Sequence, residues 1–234
     1  MTAANAFIDL YLPVLLKLVV ISLYFVIIFV FFDRARKKEE SAKFEILIGL
    51  FFAFMSTGAI IEVISKNFFP NFYLGDSYWG YPTIYGEVLV YFFGFIGIAL
   101  FTLGTELKVK LKTHGLLSLF AFFLAAITLI IGMGIANYIY FLGLVIVIVP
   151  LVYFYIAYKA TEDTRKRAFV LAIGYFLFLM AEGNNYNLIQ HVDALNALTL
   201  YLQSLLGFSA AFLGPLLSIF GLLLIFYGYK IFFK

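Results

Sequence analysis

Cysteine is absent from this 234-residue chain, which excludes disulfides, thiolate nucleophiles, Cys-ligated zinc and iron–sulfur clusters. Charge is scarce too. Asp, Glu, Lys and Arg make up 12% of the residues against 65% hydrophobic ones, where a soluble domain carries about 25% charged and at most about 50% apolar residues. Such a chain cannot cover a water-facing surface. Histidine occurs only as His114 and His191, too few for a multi-His metal centre or a bis-histidine haem inside a membrane. No G-x-S-x-G elbow, P-loop or dinucleotide fingerprint is present. Catalysis is therefore not expected, and no cofactor or metal is implied. A site for a hard cation built from Glu62, Glu87 and Glu182 alone remains open.

What the chain does have is apolar runs. A membrane-crossing helix needs roughly 20 mainly apolar residues, and seven segments meet that pattern: 6–32, 44–64, 85–107, 116–137, 138–158, 168–180 with a polar continuation, and 198–226. The fourth and fifth are separated at a turn near 133–137, because one helix of that combined length is about twice what a bilayer holds. The first is read as a retained helix rather than a cleaved signal, since no basic stretch precedes it and Lys17 interrupts it. The fold class is all-α, a seven-helix bundle forming a single membrane domain over 1–234.

The cations are distributed unevenly. Arg34, Arg36, Lys37, Lys38 and Lys43 follow the first segment; Lys108, Lys110 and Lys112 follow the third; Lys159, Arg165, Lys166 and Arg167 follow the fifth; Lys230 and Lys234 end the chain. Only Lys17 and Lys66 fall elsewhere. The positive-inside rule then puts the N-terminus outside and the C-terminus in the cytoplasm. Tyr153, Tyr155, Tyr158, Tyr227 and Tyr229 at one end, and Tyr138 and Tyr140 at the other, fit interfacial aromatic belts. The net charge of +3 is thus a set of helix-end cations and no nucleic-acid surface.

Sliding the chain by 125 residues superposes Gly49 on Gly174, Met55 on Met180 and Gly58 on Gly183; a shift of 124 brings Gly97 onto Gly221 and Gly104 onto Gly228. The spacing suggests a parallel duplication: a first repeat over 6–107, a linker helix over 116–137 and a second repeat over 138–231. Gly97 with Gly104, and Gly221 with Gly228, lie seven residues apart on one helix face, which suits close backbone packing. Pro150 and Pro215 read as kinks.

Ionisable groups inside hydrocarbon cost about 2.5–3.5 kcal/mol each on insertion scales, so each needs a partner or a wet cavity. Lys17 is the one buried-looking cation, with Glu62 or Glu182 as its candidate partner. The candidate ligand or ion pathway comprises Lys17, Glu62, Glu87, Glu182, Asn184, Asn185, Asn187 and Gln203, with Ser56 and Thr57 facing it. A structural ion pair and a frayed helix end account for the same residues. Glu45, Glu106 and Glu162 sit beside cytoplasmic cations and read as solvated interface charges.

Seven helices with an outward N-terminus resemble the rhodopsin group in topology. Lys230 and Lys234 lie at the end of the last helix rather than its middle, and no span contains Trp, so no pigment is expected. The three-one-three plan is similar to that of the SWEET sugar-efflux transporters, but no Pro-Gln pair is present and only the topology transfers. The pattern Gly49, Met55, Gly58, Pro70, Asn71, Leu74, Gly75, Asp76, Gly86 and Gly94 resembles an uncharacterised archaeal multi-pass membrane protein family, which implies seven helices and no assigned activity. The expectation is a non-catalytic component of the cell membrane, an accessory subunit or scaffold in contact with the lipid bilayer, in a homo-oligomer or larger complex. The alternative is a small-solute or ion transporter, channel or small-ligand receptor with an outward-facing polar cavity.

Overall fold

In lipid each backbone N–H must find its carbonyl within its own segment, so apolar runs of this length become helices. The computed structural model describes residues 11–38, 42–69, 86–109, 115–131, 139–185, 201 and 212–231, with side chains at all of these except 87, 109, 130–131, 139–146, 148, 182–185 and 230–231. Among the described residues there are seven helices: α1 (Leu12–Lys37), α2 (Lys43–Phe68), α3 (Gly86–Val109), α4 (Leu116–Ile131), α5 (Ile139–Lys159), α6 (Glu162–Asn185) and α7 (Leu213–Ile231).

Three of them are long and apolar enough to cross a membrane: Leu12–Lys37, Lys43–Phe68 and Val88–Lys108. At 26 residues α1 and α2 are about 39 Å long, more than the roughly 30 Å hydrocarbon core. In a membrane that length would carry their charged ends into the headgroup layer, and α1 continues past Phe32 through Arg34, Arg36 and Lys37 in its last turn. Those cations also face the negative end of the helix dipole. The apolar stretches Leu116–Leu129 and Leu213–Tyr229 are shorter. In α6 charged residues fill the first two turns, and Glu182 to Asn185 close the helix. Of the seventh span expected over 198–226, residues 198–200 and 202–211 lie outside the described residues. Pro215 is a correction. It sits in the first turn of α7, where the missing N–H has no intrahelical partner to lose, so it starts the helix rather than bending it. Pro150 lies inside α5.

The chain divides into two units, one of residues 1–23 with 146–234 and one of residues 24–145. In the second, α2 packs on α3 and α3 on α4. Phe51 meets Phe101 in a tilted arrangement with ring centroids 4.9 Å apart, and Phe31 stacks on Phe52 at 6.4 Å. A Cβ on Gly97 would lie 3.3 Å from the Phe51 carbonyl oxygen, and one on Gly104 would lie 3.3 Å from the Leu47 Cβ. In the first unit α6 packs on α7. There the approach is closer: a Cβ on Gly221 would sit 2.6 Å from the Phe178 amide nitrogen and 2.8 Å from the Gly174 carbonyl oxygen, and one on Gly228 would sit 2.8 Å from Leu171 Cδ2.

Helical hydroxyls turn back onto their own chain. Ser22, Thr57, Thr105 and Thr128 each donate to the carbonyl four residues earlier at 2.8–2.9 Å, and Thr102 bonds to both Ala99 and Ile98 oxygens. This is how a hydroxyl is satisfied where water is absent. Large apolar side chains remain outward, among them Phe29, Phe123, Leu116 and Phe220, each more than half exposed. A water-facing surface does not carry such rows, and a lipid-facing one does.

Candidate functional site

On the outer side of the proposed topology, Lys17 stands in the second turn of α1 and is 6% exposed. Glu62 on α2 is 8% exposed, and Lys66 Nζ donates to its Oε1 at 2.7 Å. The pairing to a cation one turn onward on the same helix was legible in the spacing, yet only Lys17 was considered as its partner. Ser56 is buried while Thr57 is exposed and bonds back to Ala53. Successive helical residues point about 100° apart, so the two hydroxyls expected on one polar face are divided between two. Glu182, Asn184 and Asn185 fall in the last turn of α6 and Glu87 in the first turn of α3. Their side chains lie outside the described residues, as do Asn187 and Gln203 entirely.

The end of the α2–α3 pair that carries Glu45 and Glu106 corrects the expectation of solvated charges. Glu45 is 1% exposed and Glu106 is 5% exposed; Glu162, in the first turn of α6, is exposed as expected. Lys38 Nζ donates to Glu45 Oε1 at 2.7 Å, with the lysine side chain 33% exposed. Arg34 is within electrostatic reach of the same carboxylate, while Glu45 Oε2 is buried and accepts no hydrogen bond. Glu106 takes the backbone N–H of Leu117 at 3.3 Å. It thereby supplies an anion to the start of α4, where unsatisfied amides and the positive end of the dipole favour one. The chain enters that helix through Gly115, whose φ of +85° is a left-handed conformation that a side chain would disfavour. Sequence spacing placed these acids among cations but gave no sign that α1 and α4 cover them.

A third polar group was not foreseen. Tyr153 and Tyr229 were expected in an interfacial belt, but they are 6% and 4% exposed, whereas Tyr155, Tyr158 and Tyr227 are more than half exposed as a belt requires. The Tyr229 hydroxyl lies 2.8 Å from that of Tyr153 and 2.9 Å from that of Tyr175. The Tyr153 and Tyr175 rings stack with centroids 5.4 Å apart. This chain of three hydroxyls joins α5, α6 and α7 inside the first unit. Its members are 76 and 54 residues apart, beyond the reach of any local motif.

The arrangement offers ion pairing, hydrogen bonding and helix locking: Glu62 pairs within α2, while the Glu45, Glu106 and tyrosine contacts each reach a second segment. Among the described residues no three His, Asp or Glu side chains converge as metal ligands would. In comparisons with known proteins, no family model, no curated protein and no solved structure matches this chain.

Proposed function

We propose that this chain is a multi-pass component of a cell membrane with a structural rather than catalytic role, an accessory subunit or self-associating scaffold. The observation that carries this reading is where the buried polar groups go. Thr102, Thr105 and Thr128 bond to their own helices, Tyr153, Tyr175 and Tyr229 to one another, Glu106 to the start of α4, and Glu45 and Glu62 to neighbouring lysines. Polarity is spent inside the protein, within single helices or between Tyr153, Tyr175 and Tyr229, Glu106 and Leu117, and Glu45 and Lys38.

The topology is testable because the chain has no cysteine. Single substitutions report cleanly: Ser41→Cys is expected to be protected from a membrane-impermeant maleimide in intact cells, and Ser77→Cys to be labelled. The reverse pattern would invert the orientation.

The burial of Lys17 favours a second reading, transport of a small solute or ion through an outward-facing cavity, because a lysine held 6% exposed within an apolar helix is the kind of group that lines a substrate or ion path. The two readings separate in proteoliposomes. As a scaffold component, the purified protein co-migrates with partners or with itself in mild detergent, and reconstituted vesicles show no flux above empty ones. As a transporter it carries flux that Lys17→Leu abolishes while leaving assembly unchanged.

A further inference from the structure

The C-terminal half of α1 and the start of α2, both in the unit of residues 24–145, frame a groove of about 860 Å³. Phe25, Phe29, Phe32 and Ile46 form its apolar wall, with Asp33 and Arg36 at one end. Phe25 is 55% and Phe29 73% exposed, so the wall faces outward. Phe32 lies with its ring edge 3.4 Å from where a Gly49 Cβ would be.

We infer that this groove binds one anionic phospholipid of the leaflet into which the Arg34–Lys38 segment emerges, with an acyl chain along the Phe wall and the headgroup phosphate on Arg36. The inference rests on the membrane reading above. Depth is the first argument. Phe25 and Arg36 are eleven residues apart, about 16 Å along a helix, which matches the roughly 15 Å of hydrocarbon in one leaflet. Polarity is the second: the groove is apolar along its length and charged at one end, the pattern of a lipid rather than of a soluble solute or a second apolar helix. Charge complementarity is the third. Lys37 is held by Asp33 at 2.6 Å and Lys38 by Glu45 at 2.7 Å, so the one acid lining the groove among the described residues is already engaged, while Arg36 stands exposed there. A guanidinium grips a phosphate with two parallel hydrogen bonds, and clusters of four or more basic residues at the end of a membrane helix favour anionic headgroups.

The test uses the full chain, first shown to resist carbonate extraction from membranes; release at that step would defeat the membrane reading itself and is thereby distinguished. The delipidated protein is then titrated by native mass spectrometry with phosphatidylglycerol and phosphatidylcholine of identical acyl chains. The expected result is one tightly retained phosphatidylglycerol per chain, preferred about fivefold over phosphatidylcholine, the ratio one basic residue near a headgroup supplies. Arg36→Gln is expected to erase the preference while leaving phosphatidylcholine retention unchanged. Ala35→Trp, which fills the groove from its lining without touching the core, is expected to lower retention of both lipids. Equal retention of the two lipids by the wild type, or variants indistinguishable from it, would overturn the proposal. So would efficient cross-linking between two copies through Phe29→Cys, which would make the groove a dimer contact.

Discussion

Gly221→Leu is expected to disrupt the α6–α7 pair, costing about 3 kcal/mol or more and lowering the apparent Tm in detergent by about 6–12 °C for a chain of this size. The reason is that the Cβ would meet two backbone atoms, the Phe178 nitrogen at 2.6 Å and the Gly174 oxygen at 2.8 Å. Backbone within a helix cannot rotate aside, so the helices must separate and forfeit the contacts along both. Gly228 meets only the Leu171 side chain at 2.8 Å, which has other rotamers, and Gly228→Ala is expected to cost less. Gly49→Ala places its Cβ 3.4–3.5 Å from the Phe31 and Phe32 side chains, ordinary contact distance, and is expected to leave Tm within about 1 °C. A thermal-shift series in one detergent checks the ranking. Equal effects at Gly221 and Gly49 would mean that α6 and α7 do not approach this closely.

Tyr229→Phe is expected to be the second most damaging of these changes, at about 2–4 kcal/mol, because it removes the hydroxyl that both Tyr153 and Tyr175 contact and each lost buried bond exposes a desolvation penalty. Tyr153→Phe deletes one such bond, and about 1 kcal/mol is expected. The sharper test is the combination of Tyr153→Phe, Tyr175→Phe and Tyr229→Phe. When every partner becomes apolar with the shape kept, no hydroxyl is stranded, so the triple variant is expected to be more stable than Tyr229→Phe alone. Additive losses, measured by the same thermal-shift assay, would show that the three hydroxyls do not act as one network.

Particular residues show how far the chain could be read without its structure. Helix α3 begins and ends within about two residues of its apolar run, because composition along the chain decides where lipid can be met. The end of α1 was read five residues short: helix continues through Arg34, Arg36 and Lys37, since the headgroup layer tolerates charge and the dipole rewards cations at that end. Glu62 and Lys66 formed a readable pair because their partners are one turn apart on one helix. Glu45 and Glu106 were misjudged for the opposite reason. Their partners come from outside their own helices, Lys38 just past α1 for one and the start of α4 for the other, and counting neighbouring cations says nothing about cover.

By itself the sequence determined that the chain is helical, where apolar segments lie, which ends are basic and that cysteine chemistry is absent, all properties that sum residue by residue. Tertiary structure alone decided which face of each helix turns inward, and with it the Tyr153–Tyr229–Tyr175 chain, the burial of Glu45 and the closeness of Gly221 to α6. In a soluble protein an apolar stripe would have announced the inward face. On the membrane reading proposed above, lipid is as apolar as the interior, every face of a helix is alike to it, and rotation about the helix axis is settled only when side chains from distant segments meet.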